Sequence, residues 1–202
     1  EMEVQTWFRS LPFCTRYILL LSISVPLLVR FNIISPYSLI LTYEKAVIRL
    51  QIWRFITCLF PLSINFNTIF LLFFRYRYSL ELETGHFNRR TADYAYFLTL
   101  LVVGSSILAL TFEANFEMPS AFTIAILYLW SKLNPSMTVS FLFGITFQAQ
   151  YLAFAMIALD FLMGGPIMGS LIGVFVCHVY HFFAILYPSL HGRVYVKTPQ
   201  LL

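Results

Sequence analysis

The sequence predicts an all-α membrane protein of about six transmembrane helices, and three observations carry that expectation. Of 202 residues, 59% are hydrophobic and 11% charged, with 22 Phe and 12 Tyr, whereas a soluble domain is about 45–50% apolar. Apolar stretches close to the ~20 residues that a helix needs to cross a bilayer recur along the chain, separated by short polar turns. Lys and Arg favour one set of alternate connections, with Arg30, Lys45, Arg49 and Arg54 of the first connection on the opposite side. The length gives room for a single membrane domain over 1–202 and no sizeable soluble module. A net charge of +4 with no long basic run gives no ground for a nucleic-acid partner. Cys14, Cys58 and Cys177 are too scattered for a disulfide framework or a zinc site and read as small hydrophobes.

Taken in order, an aromatic lead-in (Trp7, Phe8, Leu11, Phe13) suits the membrane interface, and without a small-residue cleavage site the first span is expected to direct insertion itself. That span is expected at 17–34, with Pro26 inside and Arg30 placed to snorkel. The connection 35–52 is apolar yet too short and too charged (Glu44, Lys45, Arg49) to cross, so it is read as partly embedded. Gln51-Ile52-Trp53-Arg54 opens a second span, 53–74, carrying Pro61, Asn65 and Asn67. After an arginine-rich loop come spans at 94–112, 119–133 and 139–162, with Pro119 in a first turn, where a missing N–H costs little. The last span, 165–187, lies in a stretch with no formally charged residue.

Counting by fours through that last span gives Gly165, Gly169, Gly173, Cys177 and His181, a stripe of small residues ending in a polar one. Between helices in lipid such a ladder lets a second backbone approach closely, and it serves internal packing and a homo-oligomer contact alike. His178 and His181 are the histidines inside a span. Intramembrane polar groups are costly and are functional candidates, though a bond to a nearby carbonyl also accounts for them. With an even number of spans, Arg9, Arg16, Arg75, Arg77, Arg89, Arg90, Lys132, Arg193 and Lys197 share one side, which the positive-inside rule makes cytosolic, with both termini.

Spans in this number, a long embedded first connection and a glycine-laddered last span resemble the rhomboid fold, whose active members are intramembrane serine proteases. The resemblance would place Gly-x-Ser-Gly at the start of the fourth span and a histidine just before the ladder. Met118-Pro119-Ser120-Ala121 stands at the first, and Pro166 and Ser170 at the second. His178 is expected ~20 Å below Ser120, far beyond the ~3 Å of a proton transfer, and Ser131, nearer the depth of His181, lacks a visible oxyanion partner. No metal spacing, phosphate loop or cofactor box appears, so no metal or cofactor is expected. A small-solute transporter would normally carry an internal repeat, and none is found.

More specifically, the chain resembles the Derlins, rhomboid-like proteins without the catalytic residues. The likeness rests, in order, on Gln51-Ile52-Trp53-Arg54, on Leu127-Tyr128-Leu129-Trp130-Ser131-Lys132-Leu133-Asn134-Pro135, on Phe143-Gly144-Ile145-Thr146-Phe147-Gln148-Ala149-Gln150-Tyr151-Leu152, and on His178-Val179-Tyr180 with Thr198-Pro199. Ala153-Phe154 stands where the family usually has Pro-Trp, and the family's Gly-xxx-Gly becomes Gly173-xxx-Cys177. The 202 residues stop before any segment like the family's motif for recruiting the cytosolic AAA segregase, so that link is expected from the resemblance alone. The resemblance implies an endoplasmic-reticulum membrane protein that helps return misfolded lumenal or membrane proteins to the cytosol, with a RING ubiquitin ligase and the segregase as partners. Asn65, Asn67, Thr146, Gln148, Gln150, His178 and His181 would then line a polar cavity, with short spans thinning the surrounding lipid. Each of these residues also fits an interhelical hydrogen bond worth ~0.6 kcal/mol. Trp53 is expected to wedge under the embedded connection, with Arg54 bonding its carbonyls, or else both anchor at the interface. The competing reading is an intramembrane serine protease with an unusual dyad.

Overall fold

The chain is almost wholly helical in the computed structural model, which describes residues 2–111, 118–141 and 144–191. Helices α1 (Met2–Ser10) and α2 (Phe13–Arg30) are separated at Pro12, whose ring supplies no N–H to continue a helix and whose φ of −57° suits a helix entry. The connection that follows holds only short turns, among them a π-turn at Glu44–Ile48 and the single turn α3 (Arg54–Thr57). Then come α4 (Phe66–Glu81), prolonged by a π-turn through Leu82–His86, α5 (Thr91–Thr111) and α6 (Met118–Leu133). Strands β1 (Thr138–Ser140) and β2 (Thr146–Gln148) pair antiparallel, Val139 opposite Phe147. Helices α7 (Leu152–Leu162) and α8 (Ile167–His181) follow, and α8 continues through a π-turn into α9 (Tyr187–His191).

Helix α6 is the axis of the bundle. Ile124, Ala125, Ile126, Leu127 and Leu129 are all fully buried, because a helix that is apolar all round must be covered on every side. Its neighbours are α8, α4, α7 and α5. Among the described residues, helices at Phe13–Arg30, Thr91–Thr111 and Ile167–Leu190 are long and apolar enough to cross a membrane. Exposed Leu20, Ile23, Val103, Ile107, Phe175 and Val179 give these helices a lipid-facing surface. The chain is a multi-pass helical membrane protein. The other helices are shorter or charged: α4 carries Arg75 and Arg77, α6 has 16 residues and α7 has 11. At ~1.5 Å per residue α6 and α7 are only ~24 and ~17 Å long, against a ~30 Å hydrocarbon core.

Three helices differ from the sequence expectation, the first by a shift of four residues, to Phe13–Arg30 from 17–34. The second begins at Phe66 rather than Trp53, because Asn65 is its N-cap: its side chain accepts from the Thr68 N–H and hydroxyl, both at 2.7 Å. Pro61 and Asn65 therefore belong to the approach to the helix and not to mid-span. The fifth helix occupies only the second half of 139–162. The first half is the hairpin, where buried Val139 and half-buried Phe147 alternate with exposed Thr138, Ser140, Thr146 and Gln148, and Gly144 takes φ +78°. Gly165 precedes α8, whose N-cap is Pro166, so the helical ladder starts at Gly169. The turn bearing Glu113 and Glu117, the end of the third span at Phe112, Phe143, and the tail with Thr198-Pro199 lie outside the described residues.

Candidate functional site

Arg54 organises the embedded connection. It is 4% exposed, its Nε–H donates to Gln51 Oε1 at 2.6 Å, and Nη1 donates to the carbonyls of Tyr37 (3.0 Å) and Ile40 (2.6 Å). One planar guanidinium thus satisfies backbone groups of an irregular segment that lacks a ladder of its own. Trp53 does not wedge beneath the connection; it is 56% exposed. Successive residues of a helical turn point ~100° apart, so with Arg54 turned inward its neighbour faces out. Ile48, Leu50 and Ile52 are also exposed, giving the connection an apolar outer surface.

A second junction ties α4, α7 and α8 together at one end of the bundle. Asn67 Nδ2 donates to Asp160 Oδ1 at 2.7 Å, the Ser170 hydroxyl donates to Oδ2 at 3.3 Å, and the Gly165 N–H donates to the Asp160 carbonyl at 2.8 Å. A side chain at Gly165 would place its Cβ 2.5 Å from Asp160 Oδ1, so only glycine leaves room for the carboxylate. Asn67 is therefore engaged in a structural bond.

Gly169, Gly173 and Cys177 are buried on the face that α8 turns to α6. At Gly173 an added Cβ would overlap the carbonyl oxygen of Ala121, so this is the place where the two backbones touch. Lower on the seam the Tyr128 hydroxyl and His178 Nδ1 are hydrogen-bonded at 2.8 Å, and His178 is otherwise exposed. His181 is half-buried, within electrostatic reach of His178, Lys132 and His86. The Ser131 hydroxyl donates to the Tyr128 carbonyl of its own helix, 2.8 Å away. The contact at Gly173 puts His178 only about five residues, ~7.5 Å along the axis, below Ala121, and so nearer Ser120 than the ~20 Å expected. The expectation levelled Ser120 with Gly164, whereas α6 meets α8 further along. The gap is still more than twice the reach of a proton transfer.

The hairpin presents an exposed polar surface that includes the predicted Thr146 and Gln148. Thr138, Ser140, Thr146 and Gln148 are exposed, while Val139 is buried. Phe141 packs its ring on Phe70 and Phe74 of α4, with centroids 6.2 and 5.7 Å apart, and on Phe147. Phe70 and Phe74 lie ~6–12 Å along α4 from its Asn65 end, so the hairpin reaches into the thickness of the bundle. Gln150 donates its amide to Gln148 Oε1 at 2.7 Å, which sets the two glutamines side by side at the strand end.

The family model of the Der1-like family matches residues 11–200, which includes every one of these features. The chain belongs to the Der1-like family. It is 38% identical to human Derlin-1 over 205 residues, 99% of this chain and 81% of that one. It is also 38% identical to Drosophila melanogaster Derlin-1 over 206 residues (100% and 83%), and 36% identical to Arabidopsis thaliana Derlin-1 over 201 (96% and 74%).

In this Der1-like chain two further buried charges, besides Asp160, escaped the sequence reading. Glu83 is fully buried and accepts from the backbone N–H of Cys14 (3.1 Å) and Thr15 (2.8 Å) and from the Thr15 hydroxyl (2.7 Å). A carboxylate from the end of α4 thereby caps the N-terminus of α2, where Pro12 offers no side-chain acceptor. Ser79 extends the network, bonding Thr15 at 3.1 Å and the Tyr94 hydroxyl at 2.7 Å. Arg75, read as a loop cation, is 2% exposed. It donates to Thr123 Oγ1 (2.9 Å), Ser22 Oγ (3.1 Å) and the Pro119 carbonyl (2.7 Å), joining α2, α4 and α6, and its guanidinium lies 5.1 Å from the Phe122 ring centre. Neither role is visible locally, because each acceptor or donor comes from a distant element.

Proposed function

We propose that the chain is a non-catalytic component of endoplasmic-reticulum-associated degradation, assisting the return of misfolded lumenal or membrane polypeptides to the cytosol. Family membership supports the pathway, and the observation that carries the mechanism is the hairpin: an exposed polar surface set into the bundle beside the 11-residue α7. In a single rhomboid-like domain of six crossings with both termini cytosolic, a crossing that short draws the bilayer inward. Thr146, Gln148 and Gln150 then offer hydrogen bonds to a polar chain at a depth where lipid offers none. A RING ubiquitin ligase and a cytosolic AAA segregase are the partners that would pull and mark the emerging chain. Arg54 and Gln51 hold the embedded connection, and the Gly169, Gly173 and Cys177 seam keeps α8 against α6.

The pairing of His178 with Tyr128, and of Ser131 with its own helix, supports the absence of a serine protease. Pulse-chase of a misfolded lumenal glycoprotein tests the reading. Its half-life should lengthen in cells without the protein and return to normal on expression of a Ser120→Ala, Ser131→Ala double variant. Failure of that variant to restore turnover, together with serine labelling by a fluorophosphonate in the unaltered protein, would instead favour the protease.

A further inference from the structure

The hairpin has open edges. Its register pairs Val139 with Phe147, the Phe141 N–H bonds the Ile145 carbonyl at 2.8 Å, and the Ala149 N–H bonds the Met137 carbonyl at 2.7 Å. In an antiparallel pair the residues between such positions turn their backbone groups outward, here Thr138, Ser140, Thr146 and Gln148. Among the described residues the N–H groups of Thr146 and Gln148 and the carbonyl of Thr146 have no backbone partner, and the sheet has only two strands. The Gln148 carbonyl serves the 3-10 turn Ala149–Tyr151 as its N-cap. Strand β1 leads through Phe141 into the aromatic contact with α4, whereas β2 is flanked by exposed Ile145 and Tyr151. An unpaired strand edge is a template for another strand, and natural proteins usually blunt it with a charge, a proline or a cover. Residues 144–151 contain neither a charge nor a proline.

From this geometry we infer that the β2 edge binds an extended, unfolded polypeptide by strand addition, through backbone hydrogen bonds at Thr146 and Gln148. The inference rests on the reading above that the chain handles misfolded polypeptides, and it names how they are recognised. Backbone pairing requires an extended conformation and tolerates any side chain except proline, so it selects unfolded segments over folded ones and is indifferent to sequence. Exposed Ile145 and Tyr151 add apolar contact at either end of the strand.

Gln148 permits a clean test. Its φ of −69° is that of proline and its N–H points out of the hairpin, so Gln148→Pro removes one outward donor and leaves the internal pairing intact. Gln148→Ala removes the amide side chain and keeps the donor. The full chain in nanodiscs is titrated with a fluorescein-labelled heptapeptide of Val, Thr and Ser. A scrambled heptapeptide, and one N-methylated at consecutive amides so that both of its edges are blocked, serve as the other ligands. We expect the parent and scrambled peptides to bind alike, the N-methylated peptide to lose at least tenfold, Gln148→Pro to weaken binding about fivefold, as for one hydrogen bond, and Gln148→Ala to leave it unchanged. Equal binding of the N-methylated and parent peptides overturns the inference whether or not Gln148→Pro folds. So does a loss in Gln148→Ala that matches Gln148→Pro, which would assign the contact to the side chain. A dimer by light scattering that Gln148→Pro dissociates, with peptide affinity unchanged, would make a second copy the occupant and also overturn it. Absence of peptide binding alongside slowed substrate turnover in cells lacking the protein would sink strand addition and leave the proposed function standing.

Discussion

Removing the Glu83 carboxylate isolates the contact that fastens the start of the first long helix to the rest of the bundle. The group is fully buried and holds three donors at 2.7–3.1 Å, two of them the orphan N–H groups of Cys14 and Thr15 in the first turn of α2. Loss of an N-cap costs about 0.5–2 kcal/mol, hydrogen bonds to a charged group contribute about 1.5–3 kcal/mol each before relaxation, and uncapped buried donors add to the loss. Water entering the vacated site returns part of that, so Glu83→Ala should cost about 2–4 kcal/mol. Glu83→Gln keeps one acceptor and should cost about half as much. Unfolding in mixed micelles by added dodecyl sulfate reads the difference, and hydrogen exchange locates it. Protection should fall first at Cys14 and Thr15, and a cycle with Thr15→Val should show coupling of about 1 kcal/mol between the two sites. A Glu83→Ala protein within about 0.5 kcal/mol of the parent, or exchange that rises first elsewhere, would refute the capping argument.

Three further outcomes follow, two from the same geometry and one from the distribution of Lys and Arg. Gly173→Val drives a branched side chain into the Ala121 carbonyl and should destabilise the protein by 3 kcal/mol or more, or prevent accumulation, whereas Gly85→Ala, with open space around it, should be within about 0.5 kcal/mol in the same assay. Arg54→Lys replaces a fork serving Gln51, Tyr37 and Ile40 by a single ammonium. It should loosen the connection by about 1–2 kcal/mol and slow substrate turnover with insertion intact, read by limited proteolysis and pulse-chase. A glycosylation acceptor inserted between Glu113 and Glu117 should be modified in microsomes and one between Thr84 and Arg90 should not; the reverse pattern inverts the topology.

The apolar stretches 17–34, 94–112 and 165–187 were legible because each is a near-continuous hydrophobic run, and the structure places α2, α5 and α8 on them. The close approach at Gly173 was legible for a related reason, since spacing by fours is a property of the helix alone. What misled was the continuation of apolar composition past a change of backbone. Residues 53–65 and 138–148 are also rich in apolar side chains, yet the first is approach to a helix capped by Asn65 and the second carries the paired strands. The cap and the period-two alternation around Gly144 were the signals present. Arg54 could be assigned to carbonyls because an embedded irregular segment needs donors, but nothing in the order of residues says that Asn67 meets Asp160 or that Glu83 meets Cys14. Those pairs are 93 and 69 residues apart, and only packing brings them together.

The central claim is that a misfolded polypeptide passes along the polar hairpin face. A photo-activatable phenylalanine placed singly at Thr146, Gln148 and Ile107, in cells degrading a labelled lumenal substrate, measures this most directly. Ile107 is as exposed as the hairpin positions but faces outward from α5. Adducts to the substrate from 146 and 148 during the chase, and none from 107, are the predicted result. Adducts from 107 with none from 146 or 148, while turnover still requires the protein, would contradict the account.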